Sequence, residues 1–336
     1  MRYRLLGRTG VRVSELFLGA MTHDSPDQLG RMVDLYADAG GNVIDTASAY
    51  GDSERDLGGI LEGRRDRFVL ATKYTLSRDR SDPNAAGNHR KNLTLSLEAS
   101  LRRLRTDYID LFWVHVWDRH TPVEETMRAL DDAVRAGKIL YVGISDAPAW
   151  LVSRANTLAE WRGWTPFAGL QVPYSLLKRD IERELLPMAE AFGMTVATWG
   201  PLAGGVLSGK FTTPGAVEAG TRVAPESVSA RDHAMARVVL EIAGELGVTA
   251  SQVAIAWTRA RSRAVHPIIG ARNVEQLKDN LGVNDLVLPD DAVRRLEAVV
   301  EFDVGFPTDF IRDCETDPWV FGEVATKLDG RPGAGV

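Results

Sequence analysis

Four ionisable side chains in this sequence stand at or just beyond the C-terminal ends of apolar runs. Asp45 closes the run Asn42-Val43-Ile44-Asp45, and Tyr50 follows shortly in Thr46-Ala47-Ser48-Ala49-Tyr50-Gly51. Lys73 closes Phe68-Val69-Leu70-Ala71-Thr72-Lys73, and His115 closes Ile109-Asp110-Leu111-Phe112-Trp113-Val114-His115. A phenol titrates near pH 10 in water, too high for efficient proton delivery to a developing alkoxide. A neighbouring lysine ammonium stabilises the phenolate and lowers that value. An aspartate holds the lysine charged and oriented, and a histidine polarises a carbonyl oxygen or positions its carbon. Taken singly, each group has a plain structural explanation: Asp45 as a helix cap, Tyr50-Gly51 as a turn, Lys73 as a solvated charge, His115 as a satisfied rim histidine. Their joint arrival at the ends of successive apolar runs favours a shared site.

The elements that must position them alternate along the chain. Candidate strands cover 16–19, 42–45, 68–73, 109–115, 139–145, 168–171, 194–198 and 265–269. Helical patterns fall between them at 26–39, 54–61, 90–104, 122–136, 148–161, 180–192 and 232–246. In the third of these, Leu93, Leu97, Leu101 and Leu104 make one apolar face with helical spacing. Glycines at 40, 137 and 193 follow helices as left-handed caps. This alternation without a composition break predicts an α/β fold, a single (β/α)8 TIM barrel over residues 1–336 with its core at about 3–300 and a tail at 301–336. In such a barrel all strand C-termini meet on one rim, where active sites are built. A doubly wound sheet is the rival, since alternation alone does not close the sheet. Segments 3–6 and 11–13, joined by Gly7-Arg8-Thr9-Gly10, form an N-terminal hairpin outside the repeat. Long loops at 74–89 and 199–231 follow the third and seventh strands, as functional loops do. Phe306, Phe310 and Trp319 in the tail are placed to cover the barrel mouth.

Composition narrows the partners. The 336 residues carry a formal charge of −6 and are 44% hydrophobic. That is normal for a globular enzyme and disfavours nucleic acid. No run approaches the roughly 18 apolar residues of a membrane span, and the N-terminus lacks the apolar stretch of a signal peptide. Cys314 is the only cysteine, so a reducing, cytoplasmic setting is expected.

Two motifs belong to other chemistries. Gly204-x-x-x-x-Gly209-Lys210 fits most of a P-loop, but Phe211 replaces the magnesium-binding Ser or Thr. Gly143-Ile144-Ser145-Asp146-Ala147 resembles a nucleophile elbow, for which Asp232 and His233 would have to complete a hydrolase triad. The six histidines form no ligand pattern, so no metal is expected.

In combination, several segments resemble the aldo-keto reductase family. They are Leu6-Gly7-Arg8-Thr9-Gly10, Asp45 through Gly51, Gly137 through Ser145, Trp199 through Lys210, and Gly270-Ala271-Arg272-Asn273. The branch most similar contains bacterial aryl-alcohol-dehydrogenase-like reductases and potassium-channel β subunits. The resemblance implies a (β/α)8 barrel that reduces an aldehyde or ketone with NADPH and without metal. Asp45, Tyr50, Lys73 and His115 would be its catalytic tetrad, with Tyr50 as general acid. A nucleotide-sensing binding subunit on the same barrel is the alternative.

Cofactor contacts are expected at several points. Ser145 and Gln171 suit a nicotinamide carboxamide, and Trp199 suits the ring. Asp146 stands where the family commonly has asparagine, and an ionised aspartate can only accept. Arg272 and Asn273 open a helix that contains Gln276, Asp279 and Asn280. A helix N-terminus with an arginine suits a 2′-phosphate, hence NADP over NAD. Lys210 adds charge from the long loop. Gly19, Ala20, Met21, Gly200, Pro201, Leu202, Gly204, Ser208 and Gly270 complete the expected cofactor set, with Asp45 shared. The carbonyl pocket is expected at Met21, Tyr50, His89, Trp113, His115 and Trp117.

Overall fold

A computed structural model describes residues 1–213, 215, 221–316 and 318–327. Strands β1 (Tyr3–Leu5) and β2 (Arg12–Ser14) pair antiparallel, with Tyr3 opposite Ser14. Gly7 turns between them at φ +53, and a Cβ there would lie 2.4 Å from the Ala168 carbonyl oxygen. Only glycine allows this approach. The hairpin plugs one end of the fold, since its Leu6 and Val13 join Phe17, Val43, Leu111 and Trp113 in one buried cluster.

Eight parallel strands follow: β3 (Phe17–Gly19), β4 (Val43–Asp45), β5 (Val69–Tyr74), β6 (Ile109–Val114), β7 (Ile139–Ser145), β8 (Phe167–Pro173), β9 (Thr195–Trp199) and β10 (Val265–Gly270). β10 pairs with both β9 and β3, closing the barrel. That closure removes the doubly wound alternative. Each expected strand is present; Ile139–Ser145 coincides with its expectation, and the ends of the others shift by at most two residues.

Helices α1 (Pro26–Asp38), α2 (Ser53–Ile60), α3 (Arg90–Leu104), α4 (Val123–Arg135) and α5 (Ala149–Arg162) pack outside the first strands. In α3 the four leucines of the apolar face are all buried, and Arg105 ends the helix in a left-handed cap. Each buried leucine contributes about 1.5–3 kcal/mol over an exposed one. The helix expected at 180–192 divides into a 3-10 turn, Asp180–Glu182, and α6 (Leu185–Ala191). Pro187 lacks an N–H and is accommodated only in a first turn, so the helix starts just before it. α7 (Ala230–Leu246) begins two residues earlier than its apolar pattern, at a Ser229–Asp232 capping box.

α8 (Ala250–Ala260), α9 (Val274–Leu281) and α10 (Asp290–Ala298) complete the outer layer. The tail carries α11 (Thr308–Thr316) and α12 (Pro318–Phe321). It attaches near α6: Arg183 donates to the Asp303 carbonyl, and Arg179 and Arg183 lie over the Phe302 ring. Phe306, Phe310 and Trp319 are 84%, 54% and 75% exposed. Among the described residues, none of the tail lines the rim groove, so the expected cover over the mouth is not formed. The tail's end, 328–336, lies outside the described residues. No single described helix is long and apolar enough to cross a membrane.

Candidate active site

Strand register brings the ionisable groups to one rim. Asp45 ends β4 opposite Gly19, Lys73 in β5 lies opposite Trp113, and Ser145 at the end of β7 pairs with Gln171 in β8. Tyr50 follows β4 in the turn that leads to α2, where its carbonyl accepts from the Ser53 N–H at 3.1 Å. His115 follows β6 and is fixed by its own N–H, which donates to the Tyr74 carbonyl at 3.1 Å.

Lys73 is fully buried. Its Nζ forms a salt bridge with Asp45 Oδ2 and donates to the Thr46 carbonyl at 2.8 Å. The other carboxylate oxygen, Oδ1, accepts from Gln171 Nε2 at 2.9 Å. The Lys73 ammonium sits 4.8 Å from the centroid of the Tyr50 ring. The Tyr50 and His115 rings meet edge to face with centroids 5.7 Å apart. All four expected catalytic groups are therefore gathered in one place.

Their electrostatics differ in part from the sequence expectation. Burial raises the Tyr50 pKa, and the nearby carboxylates of Asp45 and Asp146 add to that rise. The Lys73 ammonium pulls the other way without overcoming burial. The net shift is thus upward, and the phenol keeps its proton at neutral pH. Burial, assisted by the Lys73 charge, pushes His115 down to about 4. A neutral imidazole therefore stands beside a protonated phenol and a cationic lysine.

A groove of about 700 Å³ runs away from Asp45 and Tyr50. Gly19, Met21, Gln171 and Trp199 line its near part. Gly200, Pro201, Leu202, Gly204, Ser208 and Lys210, which follow β9, and Gly270, Arg272, Gln276, Asp279 and Asn280, from the end of β10 through α9, line the rest. Ala20 is buried behind it, its N–H given to the Asp45 carbonyl. Ser145 and Asp146 lie outside the groove lining, and the Asp146 N–H donates to the Gln171 carbonyl at 3.2 Å. Asn273 caps α9 by accepting from the Gln276 N–H at 3.1 Å. Gln276 in turn accepts from the Arg272 N–H, Asn280 donates to the Gly270 carbonyl, and Asp279 accepts from Thr249 and Gln252. Thr22, Gly205, Thr221 and Arg222 also line the groove and escaped the sequence reading. Arg222 reaches across to Thr22 Oγ1 at 3.4 Å. Its arginine type was the available signal, but it sits in a loop without periodicity.

Four expected pocket residues do not line the groove: His115 stands against the Tyr50 ring, and Trp113, His89 and Trp117 are held by other contacts. Trp113 is fully buried inside the barrel, because Gly143 and Gly169 leave room for its indole. A Cβ on Gly143 would lie 2.3 Å from that ring. His89 caps α3, its Nδ1 accepting from the Asn92 N–H at 3.2 Å. Trp117 is half-buried and packs edge to face on Trp150 at 5.5 Å between centroids.

The rival motifs lose their geometry. Gly204 through Ser208 lie in a 3-10 segment after β9 rather than a strand–loop–helix phosphate cradle. Ser145 is buried, Asp232 is spent on its own helix cap, and His233 Nδ1 pairs with Thr212 Oγ1 at 3.0 Å. Among the described residues no cluster of His, Cys, Asp and Glu is placed to hold a metal ion.

Comparison with known proteins agrees with this architecture. The model of the aldo/keto reductase family matches residues 15–301. A norsolorinic acid reductase of Aspergillus flavus is 39% identical, over 94% of this chain and 86% of that protein. A putative aryl-alcohol dehydrogenase of Saccharomyces cerevisiae is 36% identical, over 93% and 90% respectively. An aldo-keto reductase of Aspergillus calidoustus is 36% identical, over 92% and 85%. By its closed barrel, its gathered rim groups and these matches, the chain belongs to the aldo/keto reductase family.

Proposed function

We propose that the protein reduces an aldehyde or ketone to the alcohol with NADPH, using Tyr50 as general acid. The observation that carries this reading is the buried Lys73–Asp45 pair set against the Tyr50 phenol at one end of a long groove. The groove's chemistry suits a dinucleotide phosphate. Trp199 offers an aromatic face and Gln171 an amide, and Lys210, Arg222, Arg272 and the α9 N-terminus offer positive charge along the same groove. The Cβ position of Gly270 faces open space, which leaves backbone accessible to a ligand. Arg272, which approaches Asp24 at 3.6 Å, is the residue we assign to a 2′-phosphate.

When bound, the nicotinamide supplies a hydride to the carbonyl carbon. Tyr50 gives its phenolic proton to the carbonyl oxygen, and the Lys73 ammonium stabilises the phenolate left behind. Asp45 keeps Lys73 charged and aimed. His115, neutral at pH 7, offers a hydrogen bond to the same oxygen without competing as an acid. Holding both reactants in line removes up to roughly 7–11 kcal/mol of entropic barrier.

The substrate class we favour is an aromatic carbonyl. Met21, Leu76, Trp117 and Trp150 follow the C-terminal ends of four different barrel strands, so they stand around the same rim. Met21, Leu76 and Trp150 are exposed large apolar side chains. Two of the relatives carry names that refer to aryl alcohols and norsolorinic acid. A reducing, cytoplasmic setting suits the single cysteine. The test is NADPH oxidation across aromatic aldehydes, aliphatic ketones and keto-sugars, beside a fluorescence titration of NADPH and NADH. Arg272→Ala should narrow the preference for NADPH; equal loss with both cofactors would remove the arginine from that role.

A further inference from the structure

Asp146 follows β7 directly and holds φ +47, a left-handed conformation that residues with side chains seldom adopt. Its N–H donates to the Gln171 carbonyl at 3.2 Å. Burial raises the pKa of its carboxyl group, while the Trp199 and Ser145 side chains and the Lys178 and Lys73 ammonium groups favour the ionised form. Its charge in turn acts on the Tyr50 phenol. The carboxyl group therefore stands near Gln171 and Trp199, which line the groove, and Ser145, which lies just outside it.

An asparagine at this position would bring no charge. The difference matters for a ligand whose own charge changes in the reaction. An oxidised nicotinamide ring carries one positive charge, and the reduced ring carries none.

We propose that Asp146 makes the site discriminate between the redox forms of the cofactor, its carboxylate favouring NADP+ over NADPH. This inference rests on the nicotinamide reading of the groove. Its consequence is that the bound equilibrium lies further toward oxidised cofactor and alcohol than the free one, while NADP+ leaves slowly. A unit charge several ångströms away in a half-open site changes an equilibrium by about threefold to about thirtyfold.

The test titrates the wild-type protein and Asp146→Asn with NADP+ and with NADPH, reading tryptophan quenching and NADPH emission. Asp146→Asn should weaken NADP+ relative to NADPH by about threefold to about thirtyfold. Arg272→Ala, assigned to the 2′-phosphate that both forms share, should weaken both alike and leave their ratio unchanged, which separates the ring charge from overall cofactor affinity. An unchanged ratio in Asp146→Asn, with both forms still bound, would overturn the inference and leave the cofactor reading intact. Failure of the wild-type protein to bind either form would bring down both. A thermal melt of each variant shows that a folded protein is being titrated.

Discussion

Gln171 and Asp45 lie 126 residues apart in sequence, yet Gln171 Nε2 donates to Asp45 Oδ1 at 2.9 Å across the barrel interior. The other oxygen of the same carboxylate holds Lys73. Asp45 is therefore fixed from two strands at once, and through it the lysine is aimed at the phenol. Gln171→Leu should leave a buried carboxylate oxygen without a donor. The expected cost is about 1–3 kcal/mol, read from urea unfolding, together with a fall in kcat. Unchanged stability and unchanged kcat would show that the brace is idle.

Removing one partner of the buried ion pair should cost more than removing both. Lys73→Met strands the Asp45 charge, at about 3–5 kcal/mol. The double variant Asp45→Asn with Lys73→Met should be more stable than Lys73→Met alone, and a double-mutant cycle reads the coupling. Additive losses would mean that the two side chains do not act as a pair.

Stability should depend on pH through the buried His266 and the half-buried His115. Loss of solvation pushes His266 down to about 4, and His115 is pushed down to about 4 as well. In the unfolded chain a histidine titrates near 6.5. Between those values the unfolded chain binds more protons, so falling pH favours unfolding. Stability from this source is complete above about 6.5 and is lost as pH falls toward about 4. His266→Asn should flatten that slope in urea melts taken across the window, whereas an unaltered slope would remove His266 as its source.

Packing around Trp113 gives an independent check of the barrel interior. Gly143→Ala should place a methyl into the indole and destabilise the protein by about 1–3 kcal/mol. Gly137→Ala places its methyl in open space, and its cost should come only from the backbone at φ +71. Equal melting temperatures for Gly143→Ala and the unaltered protein would contradict the position of Trp113.

The strands and the meeting of Asp45, Tyr50, Lys73 and His115 were legible because apolar runs end on ionisable residues, and parallel pairing carries those ends to a single rim. Asp45, Lys73 and Ser145 needed only their strand position. The groove lining was less legible: Thr22 and Arg222 sit in loops, where no period reports which way a side chain faces. Trp113 was misplaced for a related reason. Its strand alternation faces the interior, but only Gly143 and Gly169 on neighbouring strands reveal that the indole is swallowed rather than presented. The upward shift of Tyr50 was also hidden, because burial outweighs a lysine that spacing does reveal. In the tail, Phe306, Phe310 and Trp319 are apolar enough to suggest a cover, but apolar type carries no direction.

The central claim is that the Tyr50 phenol delivers the proton during carbonyl reduction. It is tested most directly by single-turnover oxidation of enzyme-bound NADPH with an aromatic aldehyde, comparing the wild-type protein with Tyr50→Phe. The account predicts NADPH affinity close to wild type and a rate at least about a hundredfold lower. A Tyr50→Phe protein that binds NADPH and oxidises it at the wild-type rate would contradict it.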